Sequence, residues 1–171
     1  MKHILIYIVS IMASLSGFSQ DTTDGNSIVT TLYFIRHAEK DLSNPNEKNM
    51  HLTPKGKERA VKWSDVLKDI KFDAVYSTDY HRTKETAQPT AEKCQLEITI
   101  YKPNSIDMEA FKKEIHGKTV LIVGHSNTIP GFVNRIIGQK KHRDIDESRH
   151  GNLYIVTIID GKTADQVLTI N

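Results

Sequence analysis

Two arginines and two histidines stand in this sequence where apolar, strand-like runs end. Arg36 and His37 follow the run LYFI, Arg82 follows AVYS, and His125 follows VLIVG. Arginine binds phosphate oxygens through a planar fork of N–H donors. A histidine can attack phosphorus and carry the group as a phosphoramidate. These four residues therefore predict a site for a phosphoryl group, in which catalysis rests on positioning and electrostatic stabilisation.

Other common catalytic arrangements are absent from the sequence. It contains no HExxH segment, no CxxC pair and no His/Asp cluster at ligand spacing, each of which would indicate a metal centre. It also lacks the GxxxxGK[ST] loop of nucleotide-binding proteins and the GxSxG turn of serine hydrolases. We therefore expect a reaction that uses no metal ion and no other cofactor.

The elements that must position these residues alternate along the chain. Strands are predicted at 32–35, 73–77, 96–101 and 119–124, helices at 52–70, 80–94, 105–117 and 127–138, and two final strands at 152–159 and 164–170. Thr53 and Pro54 are typical of a helix start, and Pro89 predicts a break or bend in the second helix.

This order predicts an α/β fold. We expect a three-layer α/β/α sandwich with a mostly parallel central sheet. The Asp-Gly turn between the last two strands predicts a hairpin and hence an antiparallel edge strand. In an open α/β sheet, ligands bind beyond the carboxyl ends of the strands, so the arginines and histidines above are expected to converge there.

The N-terminal residues carry a different pattern. A lysine precedes an apolar run from Ile4 to Met12, and small residues follow up to Ser19. This layout is typical of a secretory signal peptide. An uncleaved anchor is the alternative, but the run is short for a bilayer. We therefore predict an exported protein, periplasmic or secreted. The predicted organisation is a signal peptide at 1–19, a flexible leader at 20–30 and a single domain at 31–171.

The net charge of the chain bears on which partners it can bind. The formal net charge is +2, and loss of Lys2 with the signal peptide lowers it by one. A nearly neutral chain gives no electrostatic reason to expect binding to nucleic acid or to an anionic membrane, and no stable membrane insertion is expected after cleavage.

Cys94 is the only cysteine, so no intrachain disulfide can form. The sequence does not predict the oligomeric state.

Four segments resemble, in order, the motifs of the histidine phosphatase (phosphoglycerate mutase-like) superfamily. FIRHAEK resembles its Arg-His-Gly/Ala signature, and HLTPKGKERA resembles its Leu-Thr-x-x-Gly-x-x-x-Ala segment. VYSTDYHRTKETA resembles the segment Ser-x-x-x-x-Arg-x-x-x-Thr-Ala, and VLIVGHSNTI resembles the second-histidine segment. The sequence is similar to small members of the Arg-His-Gly/Ala branch. It lacks the large insertions of the mutases, which disfavours a mutase.

The resemblance implies a function and a role for each matching residue. The function is metal-independent hydrolysis of a small phosphorylated substrate, a phosphomonoester, through a phosphohistidine intermediate. His37 would be the nucleophile that accepts the phosphoryl group. The rest of the phosphate pocket would be formed by Arg36, Arg82 and His125, with Ser126 and Asn127 as further donors.

The resemblance leaves the general acid open. Family members carry an acidic residue between the second arginine and the second histidine. Here that interval offers Glu97, Asp107 and Glu109, without a clear match to the family's segment. Asp107 is the candidate general acid, although its place in the first turn of a predicted helix is equally explained by the helix dipole.

Two other functions stay open at this point. Small family members without a clear acid act as protein phosphohistidine phosphatases, and imidazole leaves more easily than an alkoxide. Export argues against that function, because the usual phosphohistidine proteins are cytoplasmic. The third hypothesis is a module that binds a phosphorylated ligand and turns it over poorly. Substrate specificity is expected in the loops 40–50, 101–108 and 138–151.

Overall fold

The computed structural model describes residues 27–170. The predicted signal peptide and most of the predicted leader lie outside this range. Strand β1, Val29–Arg36, begins inside the segment expected to be a flexible leader, because Val29 and Thr30 pair with a strand near the end of the chain. The sheet therefore starts before the domain boundary predicted at residue 31.

The types and the order of the predicted elements are confirmed within residues 27–170. After β1 the chain forms α1 (Pro54–Val66), β2 (Ala74–Ser77), α2 (His81–Cys94), β3 (Ile98–Ile100), α3 (Met108–Glu114), β4 (Thr119–Gly124), α4 (Thr128–Ile137), β5 (Asn152–Ile159) and β6 (Lys162–Thr169). α1 starts as predicted, since the Gly56 N–H donates to Thr53 Oγ1 at 3.0 Å. α2 runs without interruption through Pro89, where a break or bend was expected.

The sheet is mixed and has the order β3-β2-β4-β1-β5-β6. The four strands from β3 to β1 are parallel to one another, whereas β5 is antiparallel to both β1 and β6. The hairpin between β5 and β6 turns through Asp160 and Gly161, which both have positive φ angles, 50° and 75°. The predicted α/β fold is confirmed. The predicted antiparallel edge is formed by the two strands of the β5–β6 hairpin.

The helices cover both faces of the sheet, so the molecule has three layers. On one face, Trp63 of α1 and Ala87 of α2 pack against Ile35 of β1 and its neighbours. On the other face, Phe111 of α3 and Phe132 of α4 pack in a cluster with Phe34 and residues of β4. Successive residues of β1 and β4 alternate between the two cores, as the period of a strand requires. Among the described residues, no helix is long and apolar enough to cross a membrane.

Candidate active site

The carboxyl ends of β1, β2 and β4 meet at one rim of the sheet. The His37 N–H donates to the Gly124 carbonyl at 2.9 Å, which continues the pairing of β1 and β4 one residue beyond β1. His37 and His125 therefore leave neighbouring strands side by side, and their ring centroids lie 5.5 Å apart. The convergence expected from the sequence occurs because the core strands are parallel.

Gly124 allows the start of α4 to approach this rim closely. A Cβ atom at Gly124 would lie 2.8 Å from Ile129 Cδ1, 2.8 Å from Tyr101 Oη and 3.0 Å from Thr128 Oγ1. The side chains of Ile129, Tyr101 and Thr128 would have to shift to make room for a Cβ atom, so glycine allows this close packing. The His125 N–H donates to Thr128 Oγ1 at 3.0 Å and fixes the turn between strand and helix.

A cavity of about 710 Å³ opens at this rim. Five of the side chains predicted from the sequence line it: His37, Arg82, His125, Ser126 and Asn127. The other lining residues include Lys40, Tyr80, Tyr101 and Glu147. Since Asn127 and Thr128 stand at the N-terminus of α4, the positive end of that helix also borders the cavity.

His37 is held as a buried, neutral imidazole. Its side chain is 3% exposed, and Nδ1 lies 2.7 Å from the Ala38 carbonyl oxygen. A carbonyl only accepts hydrogen bonds, so Nδ1 must carry the proton and the lone pair resides on Nε2. Burial lowers the pKa of His37 to about 3, and the charges of Arg36 and Arg82 act in the same direction. Nε2 is therefore an available nucleophile at neutral pH.

The loop after His37 is anchored to α1 and α2. The Ala38 N–H donates to Thr86 Oγ1 at 2.9 Å, and the Thr86 hydroxyl donates to the Arg82 carbonyl at 2.7 Å. Glu39 accepts hydrogen bonds from Arg59 Nε and Nη2 at 2.8 to 3.0 Å. These bonds fix the backbone of the candidate nucleophile relative to the helix that carries Arg82.

Arg82 enters the cavity with two unpaired donors. Its Nε and Nη1 atoms are buried and have no hydrogen-bond partner among the described residues. The guanidinium lies over the Tyr80 ring, with Cζ 4.3 Å from the ring centroid, which holds it in place. Buried donors without partners are costly unless something binds them. The arrangement therefore suits an anion with several acceptor oxygens.

His125 is connected to β2 through hydroxyl groups. Its Nε2 lies 2.9 Å from Thr78 Oγ1, and the Thr78 hydroxyl donates to Thr83 Oγ1 at 3.0 Å. Thr78 therefore acts as the acceptor towards His125, so Nε2 carries the proton of the neutral ring. Burial lowers the pKa of His125 to about 4, and the nearby Arg82 acts in the same direction.

Arg36 reaches the site but is not among the side chains that line the cavity. It is 1% exposed, and its Nη1 donates to the carbonyl oxygens of Asp146, Glu147 and Arg149 at 2.9 to 3.0 Å. Its Nη2 pairs with the Glu147 carboxylate, and its Nε has no partner among the described residues. The expected direct phosphate ligand is thus mainly a group that holds the turn 146–149 against the site.

Glu147 is a site residue that the sequence analysis missed. It lies in the loop 138–151, which the sequence analysis expected to contribute to substrate specificity, although no residue of the loop was singled out. One carboxylate oxygen pairs with Arg36, and the other accepts a hydrogen bond from Ser126 Oγ at 2.5 Å. The Ser126 hydrogen bond and the Arg36 charge lower the pKa of Glu147, so it is ionised at neutral pH. An acidic residue within an irregular, charged loop gave no pattern that could have indicated this contact.

The structure does not bring Asp107 to the cavity that contains His37. Asp107 is the N-cap of α3, and its carboxylate accepts from the N–H groups of Glu109 and Ala110 at 3.0 and 3.1 Å. It lines a separate groove with Tyr76 and Phe111. Helix capping, which the sequence analysis offered as the alternative, accounts for Asp107, so it is not supported as the general acid.

His150 is a second residue that the sequence did not indicate. Its Nδ1 donates to the His37 carbonyl at 3.0 Å, and its ring centroid lies 6.2 Å from that of His37. Burial lowers the pKa of His150. The last residues of the loop 138–151 therefore pack directly against the backbone of the candidate nucleophile.

The buried histidines should make the fold sensitive to acid. The pKa values of His37 and His125, about 3 and about 4, lie below the value of 6.5 expected for an unfolded chain. The unfolded state therefore binds more protons below pH 6.5, and the free energy of unfolding decreases as the pH falls from about 6.5 towards 4. Between pH 7 and 5 the expected loss is roughly 2 kcal/mol for each histidine.

Urea unfolding between pH 7 and pH 5 measures this effect. We expect His37→Asn to show a shallower pH dependence than the wild-type protein, because it removes one buried titrating group. His116→Asn is the matched control, since His116 is exposed, and it should keep the wild-type slope. Equal slopes for all three proteins would contradict the assignment of buried neutral imidazoles.

Comparisons with known proteins agree with this geometry. Residues 32–103 match the family described as the histidine phosphatase superfamily (branch 1). The protein histidine phosphatase SixA complexed with tungstate has 14% identity and a TM-score of 0.65, covering 81% of this chain and 96% of that chain. The alpha-ribazole phosphatase from Shigella flexneri has 18% identity and a TM-score of 0.61, covering 82% and 96%.

A third solved structure shares the fold. The phosphoserine phosphatase from Entamoeba histolytica, in complex with 3-phosphoglyceric acid, has 18% identity and a TM-score of 0.60, and the alignment covers 83% of this chain and 98% of that chain. A comparison with proteins of curated function gave no match. The segment that resembles the histidine phosphatase superfamily (branch 1) includes both His37 and Arg82, and the fold agrees with that of these solved phosphatases over most of each chain.

Proposed function

We propose that the protein is a metal-independent phosphatase that hydrolyses a small phosphomonoester through a phosphohistidine intermediate on His37. One observation carries this proposal. The cavity combines a buried imidazole, whose Nδ1 proton is donated to the Ala38 carbonyl, with an arginine whose Nε and Nη1 atoms have no partner within residues 27–170. The first supplies a nucleophilic nitrogen, and the second supplies a binding site for the oxygens of the group under attack.

The free donors of the cavity suit a phosphoryl group. Arg82 offers its buried N–H groups, and the N-terminus of α4 adds a positive dipole end at the same cavity. A phosphate dianion beside His125 favours the imidazolium, in which both ring nitrogens donate hydrogen bonds. Positive charge thus develops around the equatorial oxygens without affecting His37 Nε2, which remains the attacking atom.

The reaction proceeds in two displacements at phosphorus. In the first, the Nε2 lone pair of His37 forms the N–P bond, the bond from phosphorus to the leaving oxygen breaks, and that oxygen takes up a proton. In the second, water attacks phosphorus and gives up a proton, the N–P bond breaks, and inorganic phosphate leaves. The hydrogen bond from Nδ1 to the Ala38 carbonyl stabilises the positive charge that the ring carries between the two steps.

Glu147 is the best-placed proton donor among the described residues that line the cavity. The carboxylates in this lining belong to Asp79 and Glu147, and Asp79 is paired with Lys84 at 2.7 Å. Glu147 instead contacts Arg36 and Ser126, the neighbours in sequence of the two site histidines. A docked phosphate dianion raises the pKa of Glu147 by charge repulsion, which favours the protonated carboxyl group that a general acid needs.

Replacement of Glu147 by glutamine tests this role. Removal of a general acid commonly costs a factor of about 100 or more. We therefore expect kcat on phosphoserine to fall about 100-fold and kcat on p-nitrophenyl phosphate to fall only a few-fold, because nitrophenolate leaves without a proton. Steady-state kinetics on the two substrates measure the difference.

Asp79→Asn is the matched control for this substitution, because Asp79 lines the same cavity but is paired with Lys84. It should change both rates by a similar, small factor. If Glu147→Gln lowers kcat equally on the two substrates, Glu147 only positions Arg36. If Glu147→Gln lowers KM without lowering kcat, the Glu147 carboxylate only weakens substrate binding and takes no part in proton transfer.

A protein phosphohistidine phosphatase is the second candidate. The observation in its favour is that hydrogen bonds and neighbouring cations lower the pKa of both cavity carboxylates, Asp79 and Glu147, so both are ionised in the free enzyme. An imidazole leaving group depends less on an acid than an alkoxide does. The fold shared with the protein histidine phosphatase SixA is consistent with this candidate.

Initial rates on a small panel of substrates test the proposal. The full-length protein is assayed in EDTA with p-nitrophenyl phosphate, phosphoserine, alpha-ribazole phosphate and a phosphohistidine peptide. Saturable turnover of an ester in EDTA supports the metal-independent phosphomonoesterase. Turnover of the phosphohistidine peptide alone favours the second candidate, and tight binding of phosphate ligands without turnover would leave only the binding module.

Export is a further part of the proposal. Its support is the pattern of the N-terminal residues, a lysine followed by an apolar run and small residues before Gln20. We propose that the phosphatase acts in the periplasm or outside the cell. Cell fractionation with mass determination of the mature N-terminus tests this, and a chain found in the cytoplasm with Met1 intact would contradict it.

A further inference from the structure

Three side chains with metal-binding atoms meet at the start of α2, outside the residues that line the catalytic cavity. They are His51, His81 and Glu85, and their candidate ligand atoms all lie within 4.8 Å of one another. His51 comes from the loop between β1 and α1, whereas His81 and Glu85 are neighbours on one face of α2. The reaction proposed above uses none of the three.

We propose that His51, His81 and Glu85 bind a Zn²⁺ ion. Two imidazole nitrogens and one carboxylate oxygen are a ligand set that Zn²⁺ accepts, with a fourth position left for water. Imidazole disfavours Mg²⁺ and Ca²⁺, which prefer oxygen ligands. The site is independent of the phosphatase mechanism, because it takes no residue from the cavity.

Hydrogen bonds already hold two of the ligands in place. Glu85 Oε2 accepts from the Leu52 N–H at 2.8 Å, which leaves Oε1 to face His51. The His81 N–H donates to Asn49 Oδ1 at 2.8 Å and ties the first residue of α2 to the same loop. Partners of this kind orient metal ligands and strengthen binding. The cluster is therefore better organised than an incidental group of surface side chains.

The charges of the cluster also suit a cation. The rings of His51 and His81 are stacked, with centroids 4.0 Å apart and planes 12° apart, so their nitrogen atoms lie close together. The Glu85 carboxylate pairs with His51, so one carboxylate oxygen lies beside the two imidazole rings. A Zn²⁺ ion would replace the hydrogen bond between His51 and Glu85 with one bond to each of the two side chains.

The ion would join two segments that position the active site. The loop before α1 contributes His51, and α2 contributes His81, which is followed directly by Arg82. Binding an ion in the folded state alone stabilises the fold by mass action. Zn²⁺ should therefore raise the midpoint of thermal unfolding and reduce the mobility of this loop against α2.

Calorimetric titration of the metal-free full-length protein with ZnCl₂ tests the proposal. We expect saturable binding of Zn²⁺, no response to MgCl₂, and a higher thermal midpoint with Zn²⁺. His51→Ala and Glu85→Gln should weaken binding at least about tenfold and remove the thermal shift. Glu85→Gln keeps an oxygen for the Leu52 N–H, so it preserves the local fold.

His116→Ala is the matched control, because His116 is exposed and lies outside the cluster, and it should bind Zn²⁺ as the wild-type protein does. The competing donors are His37 and His125 of the cavity and the adjacent His150. Binding that survives His51→Ala and Glu85→Gln at full affinity assigns the ion to those histidines and overturns the proposal. Absence of Zn²⁺ binding by the wild-type protein overturns it equally.

Discussion

Replacing His37 with alanine is expected to reduce phosphatase turnover by at least about 10⁴-fold, because it removes the nitrogen proposed to form the covalent intermediate. His37 Nε2 is the one atom of the proposed mechanism that changes its bonding to phosphorus twice. Its loss should lower kcat on p-nitrophenyl phosphate and on phosphoserine alike, since the defect does not depend on the leaving group. Stopped assays at enzyme concentrations high enough to detect single turnovers measure the residual rate.

Two further measurements keep this prediction interpretable. Circular dichroism and urea unfolding at pH 7 show whether the His37→Ala protein is folded, and binding of inorganic phosphate should persist because Arg82 is unchanged. Addition of imidazole to the variant could restore a small rate by supplying the missing ring. A folded variant that retains turnover within about tenfold of the wild-type protein would rule out His37 as the nucleophile.

Replacing Arg82 with alanine is expected to lower kcat/KM by about 10² to 10³-fold, the usual effect of removing a donor that stabilises the transition state. Its Nε and Nη1 atoms are the unpaired donors in the cavity, so their loss leaves the phosphoryl oxygens without their principal ligand. Arg82→Lys should recover only part of the loss, because an ammonium group has no planar fork. Inhibition by inorganic phosphate should weaken together with kcat/KM.

The control for Arg82 is Arg143→Ala. Arg143 is an exposed arginine of the loop 138–151, so its loss removes the same charge from the protein without affecting the cavity lining. It should alter kcat/KM by less than about twofold at moderate ionic strength. If Arg143→Ala and Arg82→Ala have equal effects, then Arg82 acts through the overall field of the protein and does not bind phosphate directly.

The sequence predicts those site residues that come after the parallel strands of the sheet. His37, Arg82 and His125 each come after an apolar run that was predicted as a strand, and parallel strands bring their carboxyl ends to one rim. The helix start at Thr53 was also predictable, because a capping side chain acts on N–H groups close by in the sequence. The positions of these residues can therefore be predicted from local sequence chemistry and from the order of the strands.

The partners of Arg36 could not be predicted in the same way. Its hydrogen bonds reach residues 146 to 149, which are 110 or more positions away in an irregular loop. Such a contact depends on the path of that loop, which neither periodicity nor turn residues determine. Glu147 was missed for this reason, and the same missing information let Asp107 stand as a candidate acid although it caps α3.

The start of the domain was misplaced for another physical reason. Thr30 and Val29 follow a polar segment, and strand propensity alone does not distinguish them from a leader. Their structure comes from pairing with β5, which lies at the opposite end of the chain. Long-range pairing of this kind also places the β5–β6 hairpin next to β1, whereas the sequence predicted the hairpin but not its neighbour in the sheet.

The most direct test of the central claim is rapid-quench trapping of the intermediate. Full-length protein is mixed with ³²P-labelled phosphomonoester in EDTA, quenched within milliseconds into alkali, and digested for mass spectrometry. We expect a phosphoramidate that survives alkali and decays in acid. It should map to His37 and be absent from the His37→Ala protein. A folded, active enzyme that turns over without any labelled histidine, or with the label on another residue, would contradict it.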